Sequence, residues 1–225
     1  MTDSTLATWN WRSATSGKTN FGDELGPLIL EKLGLKVRVT DLKDADVVTI
    51  GSVLRVVCQE GKDGLVVWGT GLTRESALPK RDFQVTAVRG RRSAAALGVD
   101  VPLGDPGLLV SRFWQRPRVK HQVGFVPHYL DKRGFGSWAD KIIDVSRPVD
   151  EVLEDIGSCA TIATSSLHGM IVAQSWEIPV MRIPHGKVPG GDFKWTDHIT
   201  AMDRPIATIQ DDLVAALERG LGQSL

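Results

Sequence analysis

The sequence predicts an α/β fold built on parallel sheet and arranged as two small halves. Three observations predict it. Short apolar runs of strand length alternate with stretches of helical periodicity along nearly the whole chain. Strand after strand ends in a loop of Gly, Ser, Thr, Asn or Arg, at the sheet edge where open α/β folds bind ligands. The pattern also resets once, after a polar, proline-containing stretch over residues 113–120 that reads as a linker. The expected domains are residues 1–113 and 114–225, two α/β halves facing a cleft.

The elements follow in order. Leu6 to Trp11 alternates and predicts a strand. A polar loop leads into a helix over 23–33, stopped by Gly34. Strands are expected at 36–40 and 47–50, the second running into the small-residue turn Gly51-Ser52 and a helix. The buried-type strands 65–68 and 83–88 end in Gly69-Thr70-Gly71 and Arg89-Gly90-Arg91-Arg92, and a short helix over 93–97 stops at Gly98. In the second half, strand 122–126 precedes Pro127-His128-Tyr129, and strand 141–145 precedes a helix over 148–156. Strand 160–163 then turns through Ser165-Ser166-Leu167-His168-Gly169 into an apolar helix. Strand 180–183, a Gly-Gly loop over 187–194, a short helix over 195–202 and an amphipathic helix over 209–221 complete the chain.

Composition narrows the function. The 225 residues carry 27 basic and 27 acidic side chains, so net charge is zero. That balance argues against a nucleic-acid or anionic-membrane binder, which needs a basic excess. Cys58 and Cys159 lack metal-ligand spacing and are expected to be reduced core thiols of a cytoplasmic protein. Neither a secretory leader nor a long apolar span is read in the sequence. The Gly-rich loops lack the spacings of dinucleotide and P-loop motifs, and neither a Gly-x-Ser-x-Gly elbow nor a His-Glu-x-x-His zinc motif occurs. What remains is a set of cationic and hydrogen-bonding groups at strand ends.

The strand-turn-helix around His168 is the centre of that set. Ser165 or Ser166 is a natural N-cap, which puts His168 and Gly169 in the first helical turn. Amides there attract anions, Gly169 leaves room for a ligand, and an imidazole can donate or accept a proton. The alternative, a polar loop capping a helix with His168 on the surface, stays open on these grounds. Arg89 offers a planar fork for carboxylate or phosphate, or is a solvated cation. Lys187 and Lys194 bracket the Gly-Gly loop as a cationic lid or as solvated charges. Across the expected cleft, Asn20, Gly22, Gly69, Arg89 and Arg91 would face His128, His168, Lys187 and Lys194.

The pieces Asn20-Phe21-Gly22-Asp23-Glu24-Leu25, Gly51-Ser52, Trp68-Gly69-Thr70-Gly71, Val88-Arg89-Gly90, Gly104-Asp105-Pro106-Gly107, Pro127-His128-Tyr129, Ser165-Ser166-Leu167-His168-Gly169 and Phe193-Lys194-Trp195-Thr196-Asp197 occur in that order. This resembles the polysaccharide pyruvyl transferase family over nearly the whole chain. The resemblance implies two Rossmann-like domains in the manner of GT-B glycosyltransferases. It implies phosphoenolpyruvate as donor, a sugar diol of a cell-surface polysaccharide or glycolipid precursor as acceptor, and a pyruvate ketal and phosphate as products. His168 becomes the catalytic general acid/base. Asn20, Gly22, Asp23, Gly69, Thr70, Arg89, Arg91, His128, Ser165, Ser166, Gly169, Lys187 and Lys194 become substrate-binding candidates. The scheme calls for no cofactor and no metal. Many members carry Arg where this chain has Ser166, so either another cation holds the donor or donor binding is weak. The chain is short for the family, so the resemblance leads one to expect trimmed acceptor-binding parts. Two other readings compete: a nucleotide-sugar glycosyltransferase on the same fold, and a sugar- or anion-binding protein without catalysis.

Overall fold

The computed structural model describes residues 5–12, 20–131, 138–186 and 188–225. Among the described residues the strands pair in parallel, in a five-stranded and a four-stranded sheet, with helices in the connections. The α/β expectation therefore holds. No helix among the described residues is long and apolar enough to cross a membrane.

The chain forms two compact units. The first comprises Met1–Trp11, Gly26–Pro106 and Asp192–Leu225; the second comprises Arg12–Leu25 and Gly107–Gly191. These are discontinuous in sequence, not the continuous stretches 1–113 and 114–225 expected above. The C-terminal helices account for most of the difference.

The first unit holds β1 (Leu6–Trp9), most of α1 (Phe21–Lys32), β2 (Val37–Val39), β3 (Val47–Val48), α2 (Leu54–Glu60), β4 (Val66–Trp68), β5 (Gln84–Ala87) and α3 (Arg91–Leu97). Its sheet order is β2-β1-β3-β4-β5. Val48, Leu54, Val57, Cys58, Leu65 and Val67 form a core cluster with Leu42 and Leu72. Two helices from the chain's end, whose ranges are Phe193–Ile199 and Ile206–Leu221, join this unit. The last one buries Ile209, Leu213, Ala216 and Leu217, and the indole of Trp68 donates to the Leu213 carbonyl at 2.8 Å. Periodicity announces such an apolar face but not the sheet that covers it.

The second unit adds α4 (Val110–Phe113), β6 (His121–Val126), β7 (Lys141–Ile142), α5 (Val149–Gly157), β8 (Cys159–Thr164), α6 (Leu167–Ser175) and β9 (Val180–Arg182). The helices Phe193–Ile199 and Ile206–Leu221 are then α7 and α8. The sheet order is β7-β6-β8-β9. α5 is amphipathic, with Val149, Val152, Leu153 and Ile156 inward and Asp150, Glu151 and Glu154 outward. α6 differs: every residue except His168 and Gln174 is buried, so it has no polar stripe. Cys58 and Cys159 are buried free thiols, and burial pushes each up to about 11, far from reactive thiolate.

Candidate functional site

In the order β7-β6-β8-β9 the chain leaves β6 toward one flank and β8 toward the other. The adjacent carboxyl ends of β6 and β8 are thus a topological switch point, where open α/β sheets form their ligand crevice. Val126 and Thr164 are register partners. Pro127-His128-Tyr129 and Ser165-Ser166-Leu167-His168 therefore leave side by side at this edge.

Ser166 has extended backbone and is the N-cap of α6, its hydroxyl accepting from the Gly169 amide at 3.5 Å. Its own amide donates to Thr164 Oγ1 at 2.9 Å, and that hydroxyl donates to the Val126 carbonyl at 2.8 Å. The turn is thereby tied to β6. A Cβ on Gly169 would lie 2.6 Å from Thr164 Oγ1 and 2.8 Å from Val126 Cγ1. Gly169 is thus required by the close packing of α6 on its strands.

His168 is half-buried in the first turn of α6. Its imidazole lies against Gly22, where a Cβ would come within 2.0 Å of Nδ1 and 2.3 Å of Cγ. Asn20 shapes that contact: its Oδ1 accepts from the amides of Gly22 at 3.0 Å and Asp23 at 3.3 Å, and its Nδ2 donates to Asp23 Oδ2 at 2.5 Å. The Phe21 amide donates to the Val145 carbonyl at 2.9 Å. Asn20, Gly22 and Asp23 thus share the second unit with His168, although the expected cleft has Asn20 and Gly22 facing it from the other half.

A buried polar network lies beside them. The His128 amide donates to Ser165 Oγ at 2.9 Å, and Ser165 Oγ donates to Asp131 Oδ2 at 2.7 Å. The other oxygen of this carboxylate faces His185 Nε2 at 3.3 Å, with the Asp131 side chain at 0% and His185 at 11% exposure. The His128 ring accepts the Leu130 amide at Nδ1, 3.2 Å, so the neutral ring carries its proton on Nε2. It stacks on Tyr129 with centroids 4.4 Å apart. Burial, with the Asp23 charge second, raises the Tyr129 phenol above its ordinary range. Sequence reasoning named His128 and Ser165 but missed Asp131 and His185. Both follow strand ends, which is their one local signal; their pairing is not a local property.

Of the other candidates, Gly69, Thr70, Arg89, Arg91 and Lys194 lie in the first unit. Arg89 is fully buried and ion-paired to Asp197 at 2.9 Å. Its Nε also donates to Asp197, NH1 to Ser52 Oγ at 2.7 Å, and NH2 to the Leu72 carbonyl at 2.5 Å. Asp197 is further held by the Ser93 amide and hydroxyl. A Cβ on Gly71 would lie 2.5 Å from Arg89 Cζ, and one on Gly90 would lie 1.8 Å from the Asp197 carbonyl oxygen. The fork of Arg89 is thus engaged inside a packed knot. Gly69 has φ of +83° and no room for a Cβ beside Pro106. Thr70 is buried and donates to the Gly51 carbonyl at 2.7 Å. Arg91 is exposed and pairs with Asp203. Lys194 is buried near the Trp195 ring, and Lys187 lies outside the described residues. His198, beside the knot, is fully buried; burial and then the Arg89 charge depress it to about 3.

No protein-family model and no solved structure matches this chain. It is 29% identical over 163 residues to the uncharacterized protein L143 of Acanthamoeba polyphaga mimivirus, covering 64% of this chain and 57% of that one. It is 28% identical over 193 residues to the succinoglycan biosynthesis protein ExoV of Rhizobium meliloti (strain 1021), covering 79% of this chain and 60% of that one. The chain therefore spans less than two thirds of the length of either relative.

Proposed function

We propose that this chain is a polysaccharide pyruvyl transferase, moving the pyruvyl group of phosphoenolpyruvate onto a sugar diol, with His168 as general acid/base. The observation that carries the reading is the seat of His168. Its imidazole stands in the first turn of the nine-residue α6, at the switch point of the second sheet, with the Gly22 backbone against its ring. The ordered motif resemblance supports it. So does similarity to a relative whose name places it in succinoglycan biosynthesis.

The chemistry uses those groups. Phosphoenolpyruvate accepts a proton at its methylene carbon, and the carbon bearing the phosphate becomes electrophilic. One sugar hydroxyl attacks there and loses its proton; the C–O bond to phosphate breaks, and phosphate leaves. The second hydroxyl closes the ketal and loses its proton. Of the two protons released by the diol, one balances the new methyl group and one ends on phosphate. An imidazole titrating near neutrality serves a proton transfer of this kind. The amides at the α6 N-terminus favour the donor's anionic groups. Arg89 holds Asp197, Ser52 and Leu72, so this reading assigns further positive charge to the loop carrying Lys187.

Ser166, standing where the resemblance calls for Arg, favours a second reading: a binding protein without catalysis. Incubation with phosphoenolpyruvate and a β-galactoside or mannosamine-containing acceptor, with phosphate release measured, separates them. Acceptor-dependent release is expected. Calorimetric binding of phosphoenolpyruvate with no release would point to the binding protein, and absence of both would sink the pyruvyl reading.

A further inference from the structure

We infer that Tyr129 is the platform for the acceptor sugar, its ring stacking on the apolar face of a hexose from a position fixed by the buried Ser165–Asp131–His185 network. The inference deepens the proposed function and rests on it only for the word acceptor. Position is the first argument. Tyr129 lies three residues beyond Val126 and His168 four beyond Thr164, and these two strand residues are partners in adjacent parallel strands. Both side chains therefore belong to the same crevice edge.

Ring geometry is the second. Tyr129 is 40% exposed, although it stands at the end of a strand whose last three residues are buried. The His128 ring covers it at 4.4 Å with a 31° tilt. An aromatic ring backed in this way offers a flat apolar face to a ligand. Sugar rings present C–H groups on one face and hydroxyls at the edge, which suits such a ring with polar groups around it. The phenol is held protonated, so it can donate to a hydroxyl oxygen.

Rigidity is the third. The backing residue His128 is anchored through its amide, its carbonyl and Nδ1: to Ser165 Oγ at 2.9 Å, from the Asp131 amide at 2.7 Å, and from the Leu130 amide at 3.2 Å. Asp131 joins Ser165 and His185, so one buried carboxylate ties together the loops after β6, β8 and β9. Burying a carboxylate is costly unless it is paired and hydrogen-bonded. Here the pairing holds a platform in place before the ligand arrives, which reduces the ordering cost of binding.

Charge selects the ligand. The Asp23 carboxylate is close enough to act on the phenol. A multiply anionic donor is disfavoured at that spot, whereas a neutral sugar is not.

Tyr129 is the single tyrosine of the sequence, so incorporation of 3-fluorotyrosine yields one fluorine resonance. The labelled protein is titrated with methyl β-galactoside, methyl β-glucoside and N-acetylmannosamine, and separately with phosphoenolpyruvate. A saturable shift in the millimolar range is expected with at least one sugar, and none of comparable size with phosphoenolpyruvate. Tyr129→Ala should weaken that sugar about tenfold in ligand-observed NMR, while Tyr129→Phe, which keeps the ring, should stay within about threefold of wild type. Asp131→Asn should weaken the sugar, and unchanged sugar affinity in this variant would overturn the network's part in holding the platform. The inference is overturned if no sugar moves the resonance, if phosphoenolpyruvate moves it as far as the sugars do, or if Tyr129→Ala binds sugar normally. Sugar binding with no phosphate release in the wild type would leave the platform standing and remove only the transferase reading.

Discussion

At Gly22 a single hydrogen in place of a methyl group decides where His168 can stand. A Cβ there would overlap three atoms of the imidazole at 2.0, 2.3 and 2.6 Å, so no small rotation relieves the clash. Gly22→Ala should therefore move the ring and, on the proposed function, lower the transferase rate at least tenfold, the cost expected when a catalytic group shifts by about 1 Å. Its melting temperature should fall by only a few degrees; an unchanged rate in a kinetic assay would separate His168 from the chemistry. On the same proposal, His168→Ala should abolish the rate with the fold intact by circular dichroism. Arg89 and Arg91 make the opposite pair of cases. Arg89→Met leaves Asp197 buried and uncompensated, and should cost about 3–5 kcal/mol in urea denaturation. Arg91→Ala removes an ion pair whose side chains are 63% and 53% exposed, and should change stability by less than about 1 kcal/mol. Arg89 precedes α3 and Arg91 opens it, only two positions apart, and burial separates their roles.

At the scale of the element, α6 sets two effects against each other at Gly169. Alanine is the better helix former by about 1 kcal/mol. Its methyl group would, however, meet Thr164 Oγ1 and Val126 Cγ1 well inside van der Waals contact, on residues that are fully buried in the sheet. Overpacking of this kind costs about 1–3 kcal/mol, so packing wins and Gly169→Ala should lower the urea midpoint. Ser166→Ala should cost about 1 kcal/mol through loss of the N-cap. Ser166→Arg loses the same cap but adds a cation beside the anion-attracting end of α6. Calorimetry should show tighter phosphoenolpyruvate binding in a less stable protein, and unchanged affinity would remove position 166 from the donor site. The strand-turn-helix itself was legible in the sequence, because Ser-Ser before an apolar run is local capping chemistry. The reason for Gly169 was not, because Val126 and Thr164 meet it only after β6 and β8 pair.

At the scale of the whole molecule, His198 couples the first unit to pH. Its folded value, about 3, lies below the ordinary histidine range near 6.5, so between these values the unfolded chain binds more protons than the folded one. Stability contributed by the neutral ring is fully present above about pH 6.5 and is lost as pH falls toward 3. The slope from this one group approaches about 1.4 kcal/mol per pH unit inside that window. Urea denaturation of the first unit, followed through the buried Trp68 and Trp195, should show that decline. His198→Gln should flatten it; an equal slope in the variant would assign the decline to carboxylates.

What the sequence determined by itself is local in origin. Alternating apolar runs and helical periods specify α/β with parallel strands, because side-chain period follows backbone geometry. Turn and cap residues mark the strand ends, and so place His168, His128 and Ser165 at a carboxyl edge. Tertiary structure alone decided what those residues meet. Arg89 finds Asp197 at a separation of 108 residues, and Asp131 finds Ser165 at 34. α8 leaves the second half of the sequence to cover β4 and β5, which breaks the expected boundary at residue 113. An ion pair or a packed face needs its partner to exist, and a partner so distant along the chain leaves no mark on the neighbours of either residue.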